Sequence, residues 1–263
     1  MSPEPEPKPQ ERYPYIAYIG GVGVGKTNFA ALCKDTFGLP LFEEEYADNP
    51  YLPKFYTVDP KKYAFDTQFF FLAQEGKQMP KLPEKLTLGP IGHDQPLEGD
   101  AFFESVLAGD LEYINDSEHR IYRRSYVELT PRNLVPRPDV YIGLTSSPET
   151  AVRRIIERGR EMEVVMNECH PEYFPTIVRA FNSWITWLSR HRPVVIIDTE
   201  RWDFIQSEQA RNFVLAEFRD CTSDYLTSPD QMNSMGIDGV NLIIPEFLKP
   251  IRKYYNITQG PST

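Results

Sequence analysis

Lys26 and Thr27 close a glycine-rich segment whose composition and spacing indicate phosphate chemistry. Residues 20–27 read GGVGVGKT and fit the pattern GxxxxGKT at each fixed position. Its glycines allow backbone N–H groups to turn towards phosphate oxygens, and a following helix adds partial positive charge. Lys26 would reach the β- and γ-phosphates of a nucleotide, and Thr27 would hold Mg²⁺ through its hydroxyl. We therefore predict a site for ATP and Mg²⁺ formed by Gly20, Gly21, Val22, Gly23, Val24, Gly25, Lys26 and Thr27.

The elements around this segment follow the order that the motif requires. Apolar residues 15–19 (YIAYI) precede the segment, and residues 28–33 (NFAALC) continue from it as a helix. Further along, strand-sized apolar runs alternate with helical stretches, which is typical of a parallel sheet covered by helices. The sequence therefore predicts the α/β class and a P-loop NTPase fold with a five-stranded parallel sheet flanked by helices. The predicted strands are Tyr15–Ile19, Leu39–Glu43, Leu86–Ile91, Val140–Leu144 and Val194–Asp198.

Acidic side chains follow two of these strands, at the sheet edge where ligands bind in open folds of this kind. Glu44 lies within three consecutive glutamates, residues 43–45. Three carboxylates are too costly to bury together, so most should be solvated or face cations, and a solvated acidic turn remains an alternative to a cleft residue. Asp94 stands where such folds place a carboxylate directed at Mg²⁺, with helix capping as the alternative. We predict that His93 is structural.

Two helical stretches carry further polar candidates. Residues 61–74 (KKYAFDTQFFFLAQ) are apolar around most of the helix, which predicts extensive burial of Gln68 within it. A buried amide could match the edge of a nucleobase, or it could bond to neighbouring backbone. A second helix begins near Ser147 and breaks at Gly159 inside a group of arginines. The arginines are Arg154, Arg158 and Arg160. They could form an arginine-rich lid that clamps phosphates, or they could belong to a solvated helix end.

Composition limits the remaining possibilities. The chain has 263 residues, a net charge of −10 and three cysteines. The negative charge disfavours broad binding to nucleic acid, and an odd cysteine number disfavours a disulfide framework or a zinc site. No apolar run approaches a membrane span, so we expect a cytoplasmic protein without membrane contact. We divide the chain into a disordered, proline-rich leader (1–12), a P-loop domain (13–221) and a C-terminal extension (222–263).

Several segments, taken in order, resemble the deoxynucleoside kinase family, in particular its bacterial deoxyadenosine and deoxyguanosine kinases. The resemblance covers residues 15–218 and implies an ATP-dependent kinase that forms a homodimer. The P-loop alone is widely shared among proteins, whereas the ordered set of segments is specific. The matching segments are GGVGVGKT, LFEEEYADNPYLPKFY, KKYAFDTQFFFL, HDQPLEGD, RRIIERGREME and ERWDF.

The resemblance also implies roles for individual residues. Glu44 matches the general base that acts on the sugar 5′-hydroxyl, although the proline that usually follows it is replaced here. Tyr56 and Glu163 match residues that contact the deoxyribose 3′-hydroxyl, and Gln68 and Asp100 match residues that read the base. The three arginines of the predicted lid match those that close over the phosphates. Catalysis would then depend on Glu44, Lys26, Arg158 and Arg160.

The chain departs from the family around the site expected to bind the phosphoryl acceptor. It has Gln95, Ala101 and Glu75 where the family carries arginines. Because the phosphate side is intact, these changes favour an altered acceptor over a lost reaction. The carboxylate of Glu75 would accept hydrogen bonds where arginine donates them, which would favour a base that presents N–H groups, such as adenine or guanine. We therefore expect phosphoryl transfer to the 5′-hydroxyl of a purine deoxynucleoside. The alternatives are a kinase for a modified nucleoside, a nucleotide or a hydroxymethylated base in DNA, and a non-catalytic structural relative.

Overall fold

A computed structural model describes residues 12–42, 48–131 and 135–226, except for the side chains of residues 220–226. The described chain forms one five-stranded parallel sheet with strand order β2-β3-β1-β4-β5. This arrangement confirms the predicted fold class. The strands are β1 (Tyr15–Ile19), β2 (Leu41–Phe42), β3 (Ile91–Asp94), β4 (Val140–Thr145) and β5 (Val194–Asp198).

Strand β1 lies at the centre of the sheet and is buried along its whole length. Strands of a parallel sheet are covered by helices on both faces, and therefore their sequences are continuously apolar. This pattern located β1 and β5 correctly and placed β4 to within one residue. The register sets Tyr18 of β1 beside Asp94 of β3, so the phosphate-binding loop and the end of β3 share one edge of the sheet.

The structure corrects the other two predicted strands. Residues Leu82–Leu86 form a helix, and the third strand begins only at Ile91. This strand reads IGHD, so a fully buried histidine conceals it from an apolar pattern. Among the described residues the second strand comprises Leu41–Phe42, and it begins after Pro40, which has no N–H group to donate to the ladder. Glu43 lies outside the described residues.

Helices cover both faces of the sheet. Helix α3 (Pro60–Gln78) begins one residue before and ends four residues after the predicted stretch, and the Asp59 side chain caps its start by accepting a hydrogen bond from the N–H of Lys62. Its buried residues fall mainly on one face, so α3 is less enclosed than its composition indicates. The helices are α1 (Lys26–Phe37), α2 (Leu52–Thr57), α3 (Pro60–Gln78), α4 (Leu82–Leu86), α5 (Leu97–Gly109), α6 (Asp116–Leu129), α7 (Pro148–Arg158), α8 (Glu161–Cys169), α9 (Tyr173–Leu188) and α10 (Glu208–Leu226).

The last helix begins later and ends later than the range 202–221 that the sequence pattern indicates. Asp203 instead accepts hydrogen bonds from the backbone of Ile205 and Gln206, which forms a turn ahead of α10. Helix α10 then continues past residue 221 to Leu226. The division of the chain into leader, domain and extension stays a prediction. Within the described ranges, no helix has the length and apolar character needed to cross a membrane.

Candidate active site

The loop between β1 and α1 is shaped by glycines. Gly23 and Gly25 have φ angles of 82° and 93°, in the left-handed region that other residues avoid. A Cβ atom on Gly20 or Gly23 would lie 2.7 or 2.6 Å from backbone oxygens of β4 or α7. Helix α1 begins at Lys26 without a side-chain cap, so its first N–H groups are offered to a ligand. These features fit a bound nucleotide phosphate.

Asp94 connects the end of β3 to both functional residues of the loop. Its Oδ2 accepts a hydrogen bond from the Thr27 hydroxyl at 2.8 Å, and its Oδ1 lies 3.1 Å from Nζ of Lys26. A hydroxyl and a carboxylate side by side are oxygen ligands of the kind that Mg²⁺ takes from proteins, the rest coming from water and phosphate. The residues therefore fit the predicted metal site, and the roles of Thr27 and Asp94 stay predictions.

A cleft of about 290 Å³ extends from this loop into the helical layer. It unites predicted residues from five separate stretches of chain. The phosphate-binding loop forms one side, and buried side chains of α3 and α5 form another. The predicted residues that line the cleft are Gly20, Gly21, Val22, Gly23, Gly25, Lys26, Thr27, Tyr56, Gln68, Asp100, Arg158, Arg160 and Glu163.

Two of the three arginines of the predicted lid are held by one carboxylate. Helix α7 ends at Gly159, whose φ of 67° permits the break predicted there, and α8 begins two residues later. Nη2 of Arg158 donates to Oε2 of Glu163 at 2.6 Å, and Nη1 of Arg160 lies 3.5 Å from Oε1. The side chain of Glu163 is 5% exposed. A buried carboxylate paired with two guanidinium groups positions both cations at the cleft wall.

Arg154 lies apart from the other two arginines. Its guanidinium donates to the hydroxyl and the carbonyl of Thr199 at 2.8 and 2.7 Å, and it lies 3.7 Å from the Asp203 carboxylate. It is not among the described residues that line the cleft. The side chain of Val24 also lies outside the cleft. It packs in the main apolar core, so only its backbone could bind phosphate. Nucleotide binding by Arg154 and Val24 stays a prediction.

Tyr56 presents a protonated phenol to the cleft. Its ring packs against Phe55 and Tyr173 in edge-to-face geometry and is stacked on Phe174. Burial raises the pKa of Tyr56 to about 12, and the carboxylate of Glu163 adds to the increase. At neutral pH the hydroxyl therefore keeps its proton and can donate a hydrogen bond to a bound sugar.

Glu75 does not face the cleft, which corrects its predicted role beside the base. It is buried, and its Oε1 lies 2.8 Å from Nε2 of His93. The other ring nitrogen of His93 lies 2.6 Å from the Tyr15 hydroxyl. The prediction of a structural histidine is thereby confirmed, and the argument that connected Glu75 with base preference fails. The sequence could not show that His93 would occupy the space behind α3.

Glu44 lies outside the described residues, as do the neighbouring glutamates. Its assignment as general base stays a prediction. Other residues of the cleft went unpredicted, among them Phe71, Phe103 and Gln95. Helical spacing could have revealed the two phenylalanines, because each lies three residues after a predicted base reader and so shares its helix face. Gln95 was recognised only as the site of a missing arginine.

Comparison with known proteins identifies a family that this chain matches. The family model described as deoxynucleoside kinase matches residues 16–223. The chain is similar to the deoxyadenosine kinase of Dictyostelium discoideum, with 30% identity over 78% of this chain and 79% of that protein. It is also similar to the deoxyguanosine kinase of Bacillus subtilis (strain 168), with 29% identity over 73% of this chain and 89% of the relative. A solved structure of deoxyadenosine kinase from M. mycoides with bound dATP superposes with a TM-score of 0.65 at 26% identity. It covers 79% of this chain and 100% of that one.

Proposed function

The chain belongs to the deoxynucleoside kinase family, and from this premise we propose that it transfers the γ-phosphoryl group of ATP to the 5′-hydroxyl of a purine deoxynucleoside. Proteins of this family are transferases. One observation supports the proposal most strongly: a single cleft is lined at once by Lys26 and Thr27 of the phosphate-binding loop and by Gln68 and Asp100 of the helical layer. A donor phosphate and an acceptor base could therefore be held together.

The phosphate side of the cleft stabilises negative charge. Lys26 and the N–H groups at the start of α1 face the donor phosphates, and Arg158 and Arg160 approach from the lid. Because phosphoryl transfer depends mainly on positioning and electrostatic stabilisation, fixed cations lower its barrier directly. Mg²⁺, when bound by Thr27 and Asp94, would neutralise charge on the phosphates.

The acceptor side orients the alcohol. Tyr56 and Glu163 would hold the deoxyribose, with the protonated phenol donating and the carboxylate accepting. Gln68 is buried and offers an amide carbonyl and two N–H groups to the base. Glu44 would remove the proton of the 5′-hydroxyl as the phosphoryl group is transferred. The purine assignment is supported by relatives that are named deoxyadenosine and deoxyguanosine kinases.

The decisive experiment measures ATP consumption with a panel of deoxynucleosides for the wild type and Lys26→Ala. We expect turnover that depends on the acceptor and is highest with a purine deoxynucleoside. In the variant the rate of turnover should fall by a factor of roughly 10² to 10³ or more. Lys62→Ala is the matched control, because Lys62 is exposed on α3. Absence of such turnover in the wild type would remove the proposed reaction. A clear preference for thymidine would remove only the purine assignment.

We also propose that the protein is a homodimer, as the family resemblance implies. Light scattering coupled to size-exclusion chromatography tests this directly. A mass of one chain across the concentrations used in the kinetic assays would contradict the proposal.

A further inference from the structure

Helix α5 carries two buried carboxylates one helical turn apart. Asp100 lines the cleft, and Glu104 follows it by four residues on the same face of the helix. Glu104 is fully buried, and it is not among the described residues that line the cleft. Two like charges at this spacing repel each other, and burial deprives both of their water. Glu104 is therefore unfavourable at this position unless another element compensates its charge.

His119 of α6 provides that compensation. Its Nδ1 lies 3.0 Å from each carboxylate oxygen of Glu104 and donates its hydrogen to them. Burial raises the pKa of Glu104, and the hydrogen bond and the charge of His119 offset part of this rise. The side chain of His119 is 36% exposed, so the pair joins a fully buried carboxylate to a histidine at the surface. This contact fixes α5 to α6.

The start of α6 determines where His119 lies. The side chain of Asn115 caps the helix, and Glu118 completes a capping box by accepting a hydrogen bond from the N–H of Asn115. His119 is the next residue, so its backbone belongs to a well-defined first turn. Three residues later on the same face, Tyr122 has its pKa raised by burial and, to a lesser extent, by the carboxylate of Asp100. One face of α6 therefore meets both carboxylates of α5.

The pair of Glu104 and His119 provides orientation more than stability. The cost of removing water from buried charged groups largely cancels their attraction, and apolar side chains of similar volume are often as stable. Hydrogen bonds, in contrast, are directional, so the pair restricts how α5 can slide or turn against α6. Asp100 lies one turn from this fixed point, in the first turn of α5. The orientation of its carboxylate in the cleft therefore depends on the contact between the two helices.

We propose that Glu104 and His119 are positioning residues that hold Asp100 in the orientation in which it accepts N–H groups of the acceptor base. Neither of them is among the described residues that line the cleft, so they act through Asp100 and not on the substrate. This inference rests on the proposed function. It goes beyond that function by assigning part of the selection between bases to a contact between two helices behind the cleft.

The test compares two acceptors that differ only in the base. One is deoxyadenosine or deoxyguanosine, whichever the wild type phosphorylates faster, and the other is purine 2′-deoxyriboside, whose base has no N–H group. We expect Glu104→Gln to lower the preference for the first acceptor, measured as a ratio of kcat/KM values, about tenfold, while the KM for ATP stays unchanged. The amide keeps the size of the side chain but loses the charge that meets His119. Glu128→Gln is the matched control, because Glu128 forms an exposed ion pair with Arg124 on α6.

Two double variants separate positioning from a purely structural role. Glu104→Leu combined with His119→Leu leaves no unpaired buried charge, so we expect it to fold with a urea midpoint close to that of the wild type. Its preference between the two acceptors should stay about tenfold below the wild-type value, because leucines make no directional contact. When Asp100→Asn is already present, Glu104→Gln should cause no further loss of preference, because the pair acts through Asp100.

Calorimetric titration with the same two nucleosides measures the preference without turnover. If the wild type binds them but does not phosphorylate them, the proposed reaction fails and the titrations still test the pair; if it binds neither nucleoside, both proposals fail. The inference is overturned if Glu104→Gln keeps the wild-type preference or if the double leucine variant restores it. Equal losses for both acceptors, or losses that add to those of Asp100→Asn, would also overturn it.

Discussion

Glu75 on α3 and His93 on β3 form a buried pair, with 2.8 Å between Oε1 of the glutamate and Nε2 of the imidazole. Their side chains are 4% and 0% exposed. A carboxylate oxygen accepts hydrogen bonds, so Nε2 carries the hydrogen, and in a neutral ring Nδ1 is left to accept from Tyr15. Burial raises the pKa of Tyr15 well above its usual value, which keeps its hydroxyl available as that donor.

Glu75→Ala should destabilise the fold without changing the order of preferred bases. The change leaves the imidazole N–H buried without its acceptor, and we expect a loss on the order of 3 kcal/mol in the free energy of unfolding. Urea titration of the wild type and the variant measures this loss. Lys77→Ala, an exposed change on the same helix, should cost little. An altered ranking of deoxynucleosides in the acceptor panel would show that Glu75 reaches the base after all.

These residues show where sequence reasoning succeeds and where it stops. The β1 loop was predictable because its glycines, lysine and threonine form a local pattern that fixes its own backbone. The pairing of Glu75 with His93 was not predictable, because the two residues lie on a helix and a strand that are separate in the sequence. A pattern that relies on apolar residues also misses β3, whose inner surface carries a histidine. Local motifs can be recognised in the sequence, whereas contacts between residues of different elements depend on how those elements pack.

The same distinction applies within the site. The break at Gly159 and the arginines around it were predicted from local spacing, and the structure places Arg158 and Arg160 at the cleft. Arg154 has the same spacing but bonds to Thr199, at the end of β5. The sequence shows that Arg154 and Arg158 share a helix, but it does not show that the residues after β5 bind Arg154 away from the cleft.

Glu163→Gln should weaken acceptor binding in a way that depends on the sugar. The variant keeps the shape of the side chain but loses the charge that meets Arg158 and Arg160. We expect the KM for a deoxynucleoside to rise about tenfold, and to rise less for the corresponding 2′,3′-dideoxynucleoside, which has no 3′-hydroxyl to lose. Steady-state kinetics with both acceptors provide the comparison. Glu168→Gln, exposed on the same helix, is the control. Equal losses with the two acceptors would assign Glu163 to the lid alone.

Asp94→Asn should change the dependence of the reaction on Mg²⁺. The amide preserves the size of the side chain, but it is a weaker metal ligand and meets Lys26 without charge. We expect the Mg²⁺ concentration for half-maximal activity to rise about 10- to 100-fold. ATP consumption measured across a range of Mg²⁺ concentrations tests this, with the exposed Asp110→Asn as control. A lower maximal rate with an unchanged Mg²⁺ profile would mean that Asp94 positions Lys26 and Thr27 but does not serve the metal.

Tyr122→Phe should make the protein more tolerant of alkaline pH. Tyr122 is fully buried on α6, and its hydroxyl has no hydrogen-bond partner among the described residues. Burial raises its pKa well above the usual value, and the carboxylates of Asp100 and Glu104 add to the increase. The folded protein thus holds this proton more tightly than the unfolded chain does. Its contribution to stability is complete below about pH 10 and is lost as the pH rises towards the folded pKa.

Phenylalanine has no proton to lose, so the variant should show a shallower fall in unfolding free energy above about pH 10. At neutral pH we expect it to match the wild type or to exceed its stability by up to about 1 kcal/mol, because an unsatisfied buried hydroxyl is removed. Urea midpoints at neutral and alkaline pH measure both effects. Val127→Ala, an exposed change on the same helix that removes no ionisable group, should leave the slope unchanged. A marked loss of stability at neutral pH would instead show that the Tyr122 hydroxyl makes a stabilising hydrogen bond, so that its removal is costly in the folded state.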